Sequence, residues 1–163
     1  MTTPGRRDPV QEGRAGESPD TAAPMTFALT TDAPPMESVL ARYDSVGWSA
    51  YTSDPETLGR ALHGSSHVVC AWDGDRLVGP ARVISDGATI AYLQDVLVHP
   101  GLHQRGIGRR LVQAAFEPFA AVHQKVLLTD DDDSQRAFYT ALGFTETHDV
   151  GPSPVRAYVR FDG

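Results

Sequence analysis

The stretch Asp95-Val96-Leu97-Val98-His99-Pro100-Gly101-Leu102-His103-Gln104-Arg105-Gly106-Ile107-Gly108-Arg109-Arg110 decides the fold. Its first four residues end a run from Ala88 that reads as a strand. Behind it, Leu111, Val112, Ala115, Phe116 and Phe119 recur at the spacing of a helix packed on a sheet. A strand that hands over to a helix through a glycine-containing loop points the first helical N–H groups, and the positive end of the helix dipole, into that loop. Such a loop suits a phosphate. Gly106 and Gly108 remove the Cβ atoms that would hold a pyrophosphate off the backbone, and Arg105, Arg109 and Arg110 add charge around it. Two better-known phosphate loops fail here: a P-loop needs lysine after its second glycine, where Ile107 stands, and a dinucleotide fingerprint needs a third glycine, where Leu111 stands. Taken alone, the segment reads equally well as a helix start with glycines for tight packing and arginines in solvent.

Upstream, His67 to Trp72, Leu77 to Ile84 and Ala88 to Val98 form an antiparallel meander with turns at Asp73-Gly74-Asp75 and Asp86-Gly87. Thr26-Phe27-Ala28-Leu29-Thr30 alternates like a half-buried strand. Met36, Val39, Leu40 and Tyr43 predict a helix between Pro34-Pro35 and Gly47. Asp54-Pro55-Glu56-Thr57 gives a second helix its N-cap and first-turn proline, Leu58, Ala61 and Leu62 its apolar stripe, and Gly64 its end. Downstream, Val126-Leu127-Leu128 is a short apolar strand, Ala137, Phe138, Ala141 and Leu142 mark a helix closed by Gly143, and Val155 to Phe161 reads as a final strand. The expected class is α+β, a central mixed, mostly antiparallel sheet flanked by about four helices. Residues 1–24, rich in Pro, Gly, Thr and charge, predict a disordered tail ahead of one domain over 25–163.

A length of 163 residues fits one core, and no apolar run approaches the roughly 20 residues that span a bilayer, so no membrane span is expected. No apolar stretch follows Arg6-Arg7 to make a secretory signal, and Cys70 is the single cysteine; both point to a cytoplasmic, reducing location. Lys+Arg 14 against Asp+Glu 21 gives a net charge of −7, which argues against a nucleic-acid binder and favours a cationic partner. No metal site is expected. Asp130 to Asp133 reads as helix capping, Pro100-Gly101 keep His99 and His103 off a helix face, and Cys70 reads as a small buried hydrophobe.

The run from Leu77 to Phe144 resembles the GNAT superfamily of N-acetyltransferases, whose signature is Gln/Arg-x-x-Gly-x-Gly/Ala after a strand. Here it reads His103-x-x-Gly106-x-Gly108. Asp95-Val96-Leu97-Val98-His99-Pro100 is similar to the family's fourth strand, and Phe138-Tyr139-Thr140-Ala141-Leu142-Gly143-Phe144 to its Tyr-x-x-x-Gly-Phe element. Leu77-Val78-Gly79 resembles its hairpin, with Pro80 where an apolar or aromatic residue is usual. The resemblance implies a GNAT-like fold and direct acetyl transfer from acetyl-CoA to a primary amine of a small molecule, with no covalent enzyme intermediate. A CoA-binding module without turnover and a protein-modifying acetyltransferase are the alternatives; a homodimer is left open. The resemblance places the pyrophosphate on the amides of Arg105, Gly106, Ile107, Gly108 and Arg109, and the pantetheine arm along the backbone of Val96 and Val98. His103, in place of the usual Gln or Arg, is expected to reshape cofactor binding without abolishing it. Tyr139 matches the general acid. Asp95 is the carboxylate candidate for receiving or deprotonating the amine, weighed equally against a local pairing role with water as the base. Tyr92 is the runner-up for contacting substrate. On an ideal strand Tyr92, Gln94, Val96 and Val98 share one face and Asp95 the other, a parity that a bulge reverses.

Overall fold

Two prolines and a capping aspartate set the first helices. Pro35 precedes α1 (Met36–Asp44), and Asp54 accepts a hydrogen bond from the Thr57 amide at 3.0 Å to start α3 (Pro55–His63). Between them a four-residue helix, α2 (Ser49–Thr52), was not expected from the sequence. These elements come from a computed structural model that describes residues 26–161; the tail expected over 1–24 and the boundary at 25 lie outside the described residues.

β1 (Ala28–Thr30), β2 (His67–Asp73), β3 (Arg76–Ser85), β4 (Ile90–Val96) and β5 (Gln124–Leu127) form one sheet in sequence order. The first four are antiparallel, and β5 lies parallel to β4, reached through α4 (Ile107–Phe116). α5 (Asp133–Thr140) follows, with Asp132 accepting from the amides of Ser134 and Gln135, which is the capping role expected of the acidic run. The α+β reading with a mixed, mostly antiparallel sheet holds, with five α-helices among the described residues where about four were expected.

Each sheet face has its own core. Ile107, Leu111, Val112 and Ala115 of α4 pack against Val69, Ala71, Val78, Val83, Ala91 and Leu93. On the opposite face Val39 and Tyr43 of α1 and Leu58 of α3 cover Cys70, Leu77 and Leu97. Cys70 is fully buried there, and its thiol is pushed up to about 11 by burial, as befits an unreactive core side chain. At Gly79 the close approach is backbone against backbone. A Cβ there lies 2.4 Å from the Leu97 carbonyl oxygen and 2.9 Å from Leu111, so no larger residue fits without parting β3 from the chain beyond β4.

Val155 to Phe161 is not a strand. The segment is exposed throughout and takes no place in the sheet formed by the described residues; β propensity alone does not make a strand.

Candidate active site

β4 and β5 pair from Ile90–Gln124 only as far as Leu93–Leu127, after which the ladder between the two chains stops and leaves an opening in it. On its other side the β4 chain stays tied to β3: the Leu97 amide donates to the Pro80 carbonyl at 3.0 Å and the His99 amide to the Val78 carbonyl at 2.8 Å. Strand alternation then turns the backbone polar groups of Val96 and Val98 away from β3, toward the opening. At the end of the opening Gly106 takes φ +79 and begins α4 with no side-chain cap, and the first intrahelical bond is Arg110 N–H to the Gly106 carbonyl. The amides of Ile107, Gly108 and Arg109 thus have no helical acceptor, which is an anion-receptive arrangement.

The sequence-predicted residues divide into three groups. Val98, His103 and Gly108 meet. The His103 ring nitrogen Nε2 lies 3.1 Å from the Val98 carbonyl and donates to it, occupying the backbone group that a strand-like ligand arm needs. The sequence reading set Gly108 against the pyrophosphate, whereas its Cβ position faces protein side chains. A Cβ there lies 3.3 Å from the Phe138 ring and 3.7 Å from Val98, so this glycine lets α5 pack on the first turn of α4. Arg110 also departs from expectation, sitting 4.3 Å over the Phe27 ring rather than at the loop. Arg109 reaches toward the Ala141 carbonyl at 3.5 Å.

Tyr139 forms the second group, edge-on to Phe138 and Phe144 with ring centroids 5.0 and 5.9 Å away. Its hydroxyl has no hydrogen-bond partner among the described residues and keeps contact with solvent. Burial pushes the phenol above its ordinary value of 10.0, which keeps it protonated and able to donate.

Asp95 heads the third group. β4 carries a bulge here, with Arg82 opposite Gln94 and Ala81 opposite Val96, and Asp95 is the extra residue at φ +54. The parity reverses as a bulge allows, and Asp95 turns to the α1 side. Its Oδ2 accepts from Arg82 Nε at 2.5 Å and from the Tyr43 hydroxyl at 2.9 Å, and its Oδ1 from Gln94 Nε2 at 3.0 Å. The carboxylate side chain is 1% exposed and Arg82's 8%. An amine therefore does not reach Asp95 while this network stands. Burial first, and Asp95 second, hold the Tyr43 phenol far above its usual range. Tyr92, on the same face, is half-buried, and burial raises its phenol as well.

Tyr43 and Arg82 escaped the sequence reading. Arg82 carried a signal, a charge between Ala81 and Val83 in an otherwise apolar strand, which asks for a buried partner. Nothing local marked Tyr43, whose spacing is that of any core residue.

A family model for the acetyltransferase (GNAT) domain matches residues 64–146, just over half of the chain and all of β2 to α5. The chain belongs to the GNAT acetyltransferase family. Members are acyltransferases whose donor is acetyl-CoA, and the opening beside Val96 and Val98 with its uncapped helix start fits that donor. A GNAT family acetyltransferase from Streptococcus pneumoniae is similar in structure, with TM-score 0.68, 29% identity, and coverage of 84% of this chain and 98% of that one. An acetyltransferase from Trypanosoma brucei shares the fold at TM-score 0.62 and 16% identity, covering 84% and 99%. So does AAC(6′)-Iy, solved with the bisubstrate analogue CoA-S-monomethyl-acetylneamine, at TM-score 0.59 and 18% identity, covering 81% and 99%. No curated protein matches at a significant level. Against the GNAT pattern, the departure at position 103 now has a place: the histidine ring lies on the Val98 carbonyl. Among the described residues the one cluster of potential metal ligands is Glu146, His148 and Asp149, and Arg136 already occupies it, with Nε 2.9 Å from Glu146 and Nη2 4.0 Å from Asp149.

Proposed function

We infer that this GNAT enzyme transfers acetyl directly to a primary amine of a small molecule. The observation that carries the reading is the end of the β4–β5 ladder at Leu93 and Leu127, which leaves the backbone of Val96 and Val98 without a partner strand on that side, ahead of the helix start at Gly106. An extended amide-bearing arm pairs with such an edge as an added strand, and its pyrophosphate meets the amides of Arg105 to Arg109. His103 yields the Val98 carbonyl as the arm binds. The neutral amine attacks the thioester carbon, the C–N bond forms, the C–S bond breaks, and Tyr139 donates its proton to the leaving sulfur. Asp95 acts from within the protein as a positioning residue. Its bonds to Tyr43 and Arg82 hold the bulge that aims Val96 and Val98, and the amine loses its proton to water. Tyr92 faces the acceptor side, and the net charge of −7 favours a cationic acceptor. AAC(6′)-Iy, which shares the fold, is solved with the bisubstrate analogue CoA-S-monomethyl-acetylneamine, and this supports the reading.

The test is thiol release from acetyl-CoA across small amines and lysine peptides, with CoA affinity by calorimetry. Small amines are expected to turn over and peptides not; turnover confined to peptides overturns the acceptor class. Gly106→Val forces a branched side chain into the left-handed region and crowds the pyrophosphate, so CoA binding should weaken about tenfold or more, roughly 1.4 kcal/mol or above. A folded variant that binds CoA normally removes this loop from the site.

A further inference from the structure

We propose that the cleft between α1 and the β2–β3 turn is a binding site for a small zwitterion, its carboxylate held by Arg42, Arg76 and His99 and its ammonium by Glu37, Asp73 and Asp75. The cleft has a volume of about 750 Å³, and those residues line it. Leu77, which belongs to the core on the α1 side of the sheet, lines it too, whereas Val96 and Val98 pack on the α4 side, so this is not the donor opening. Arg42 is the first sign of an anion. It is 4% exposed, and its guanidinium donates to the Leu77 carbonyl from Nε at 3.1 Å and from Nη2 at 2.6 Å, and to Ser45 Oγ from Nη1 at 3.1 Å, all neutral acceptors. That leaves a further N–H on each of Nη1 and Nη2. A buried guanidinium with neutral partners alone calls for a counter-charge, and among the described residues no carboxylate lies within ion-pair distance of Arg42 or of Arg76.

His99 is the second sign. The Gly101 amide donates to its Nδ1 at 3.0 Å, so the proton of the neutral ring sits on Nε2. Burial, with Arg42, Arg76 and His103 nearby, lowers the ring's pKa and keeps it neutral at pH 7. Nε2 lies 2.5 Å from Arg76 Nη2, so two donors face each other. A carboxylate oxygen accepts from both. The rest of the charged lining has the opposite sign: Glu37 in the first turn of α1, and Asp73 and Asp75 on either side of Gly74, are exposed, and none of them pairs with Arg42 or Arg76. Charges of both signs that line one cleft without neutralising each other select a ligand that carries both. Three carboxylates beside two guanidiniums also disfavour a dianion such as phosphate.

Nitrogen–proton NMR of the full chain without acetyl-CoA reads the site at two signals, the Gly101 amide and Arg42 Nε. The probes are glycine, β-alanine, γ-aminobutyrate and ε-aminohexanoate, which set the two charges at increasing separation, against acetate and methylammonium at the same ionic strength. At least one of the zwitterions is expected to saturate both signals with a dissociation constant about tenfold or more below that of acetate, in the millimolar range usual for so few atoms. Arg76→Gln and the pair Glu37→Gln/Asp75→Asn, all at exposed positions, should each weaken that binding about tenfold and leave the melting temperature within about 2 °C of wild type. No saturable shift of either signal with any probe overturns the proposal, as does binding that both variants retain. Acetate binding as tightly as the best zwitterion also overturns it, in favour of a plain anion site.

Discussion

Replacing Asp95 by alanine is expected to cost about 3–5 kcal/mol of folding stability, because it leaves the Arg82 guanidinium buried beside an unpaired Tyr43 hydroxyl. In a domain of this size that is a fall of roughly 10 °C or more in melting temperature. The double variant Arg82→Met/Asp95→Asn should lose less than Asp95→Ala alone, since it removes the stranded charge together with its partner. Urea denaturation of the three proteins measures the coupling; equal losses in the single and the double variant would show that the pair is not coupled. Kinetics separate the positioning role from the base. Asp95→Asn keeps the shape, an amide oxygen for Tyr43 and a residue type that tolerates positive φ. With no path from Asp95 to the amine, the acidic limb of kcat/KM should stay where it is. A limb that moves in Asp95→Asn makes this carboxylate the base and overturns the positioning role.

Tyr139→Phe is expected to lower kcat by about 10²-fold, roughly 2.7 kcal/mol of barrier, with KM for the amine little changed. The substitution keeps the ring contacts with Phe138 and Phe144 and deletes only the donor, whose hydroxyl has no protein partner to strand. Stability should therefore stay within about 0.5 kcal/mol of wild type. The pH dependence carries a second signature. Burial disfavours the charged phenolate, so the phenol deprotonates above its ordinary 10.0, and wild-type kcat should show no basic limb from this group below about pH 10. Unchanged kcat in Tyr139→Phe would assign protonation of the thiolate to solvent.

The legible parts of the molecule were those where one residue type answers a local demand. Gly106 at φ +79 and the Asp54 and Asp132 caps are such places, and each was readable from its neighbours. Gly108 was readable as a glycine but not in its purpose, because the ring it makes room for, Phe138, lies thirty residues on. The bulge at Asp95 was open to guesswork only. An aspartate takes φ +54 there under hydrogen bonds from Tyr43 and Arg82, 52 and 13 residues away, and no window along the chain contains both. The misjudged strand at Val155 to Phe161 has a related cause. Alternation reports how a segment would sit in a sheet, whereas the presence of a neighbouring edge is a property of the whole fold.

The sheet's order has a consequence for how the enzyme comes into being. Among the described residues the five strands stand side by side in the order in which they are synthesised, so none of these has to be inserted between two that have already joined. Growth can proceed by additions at one margin, and the meander of β2, β3 and β4 can assemble before residue 97 is made. The donor groove proposed above, however, lies between the last two strands added and would have no second wall until Gln124–Leu127 docks. On that proposal a nascent chain owns most of its hydrogen-bonded framework while still lacking a place for CoA, and competence for the donor arrives in one late step.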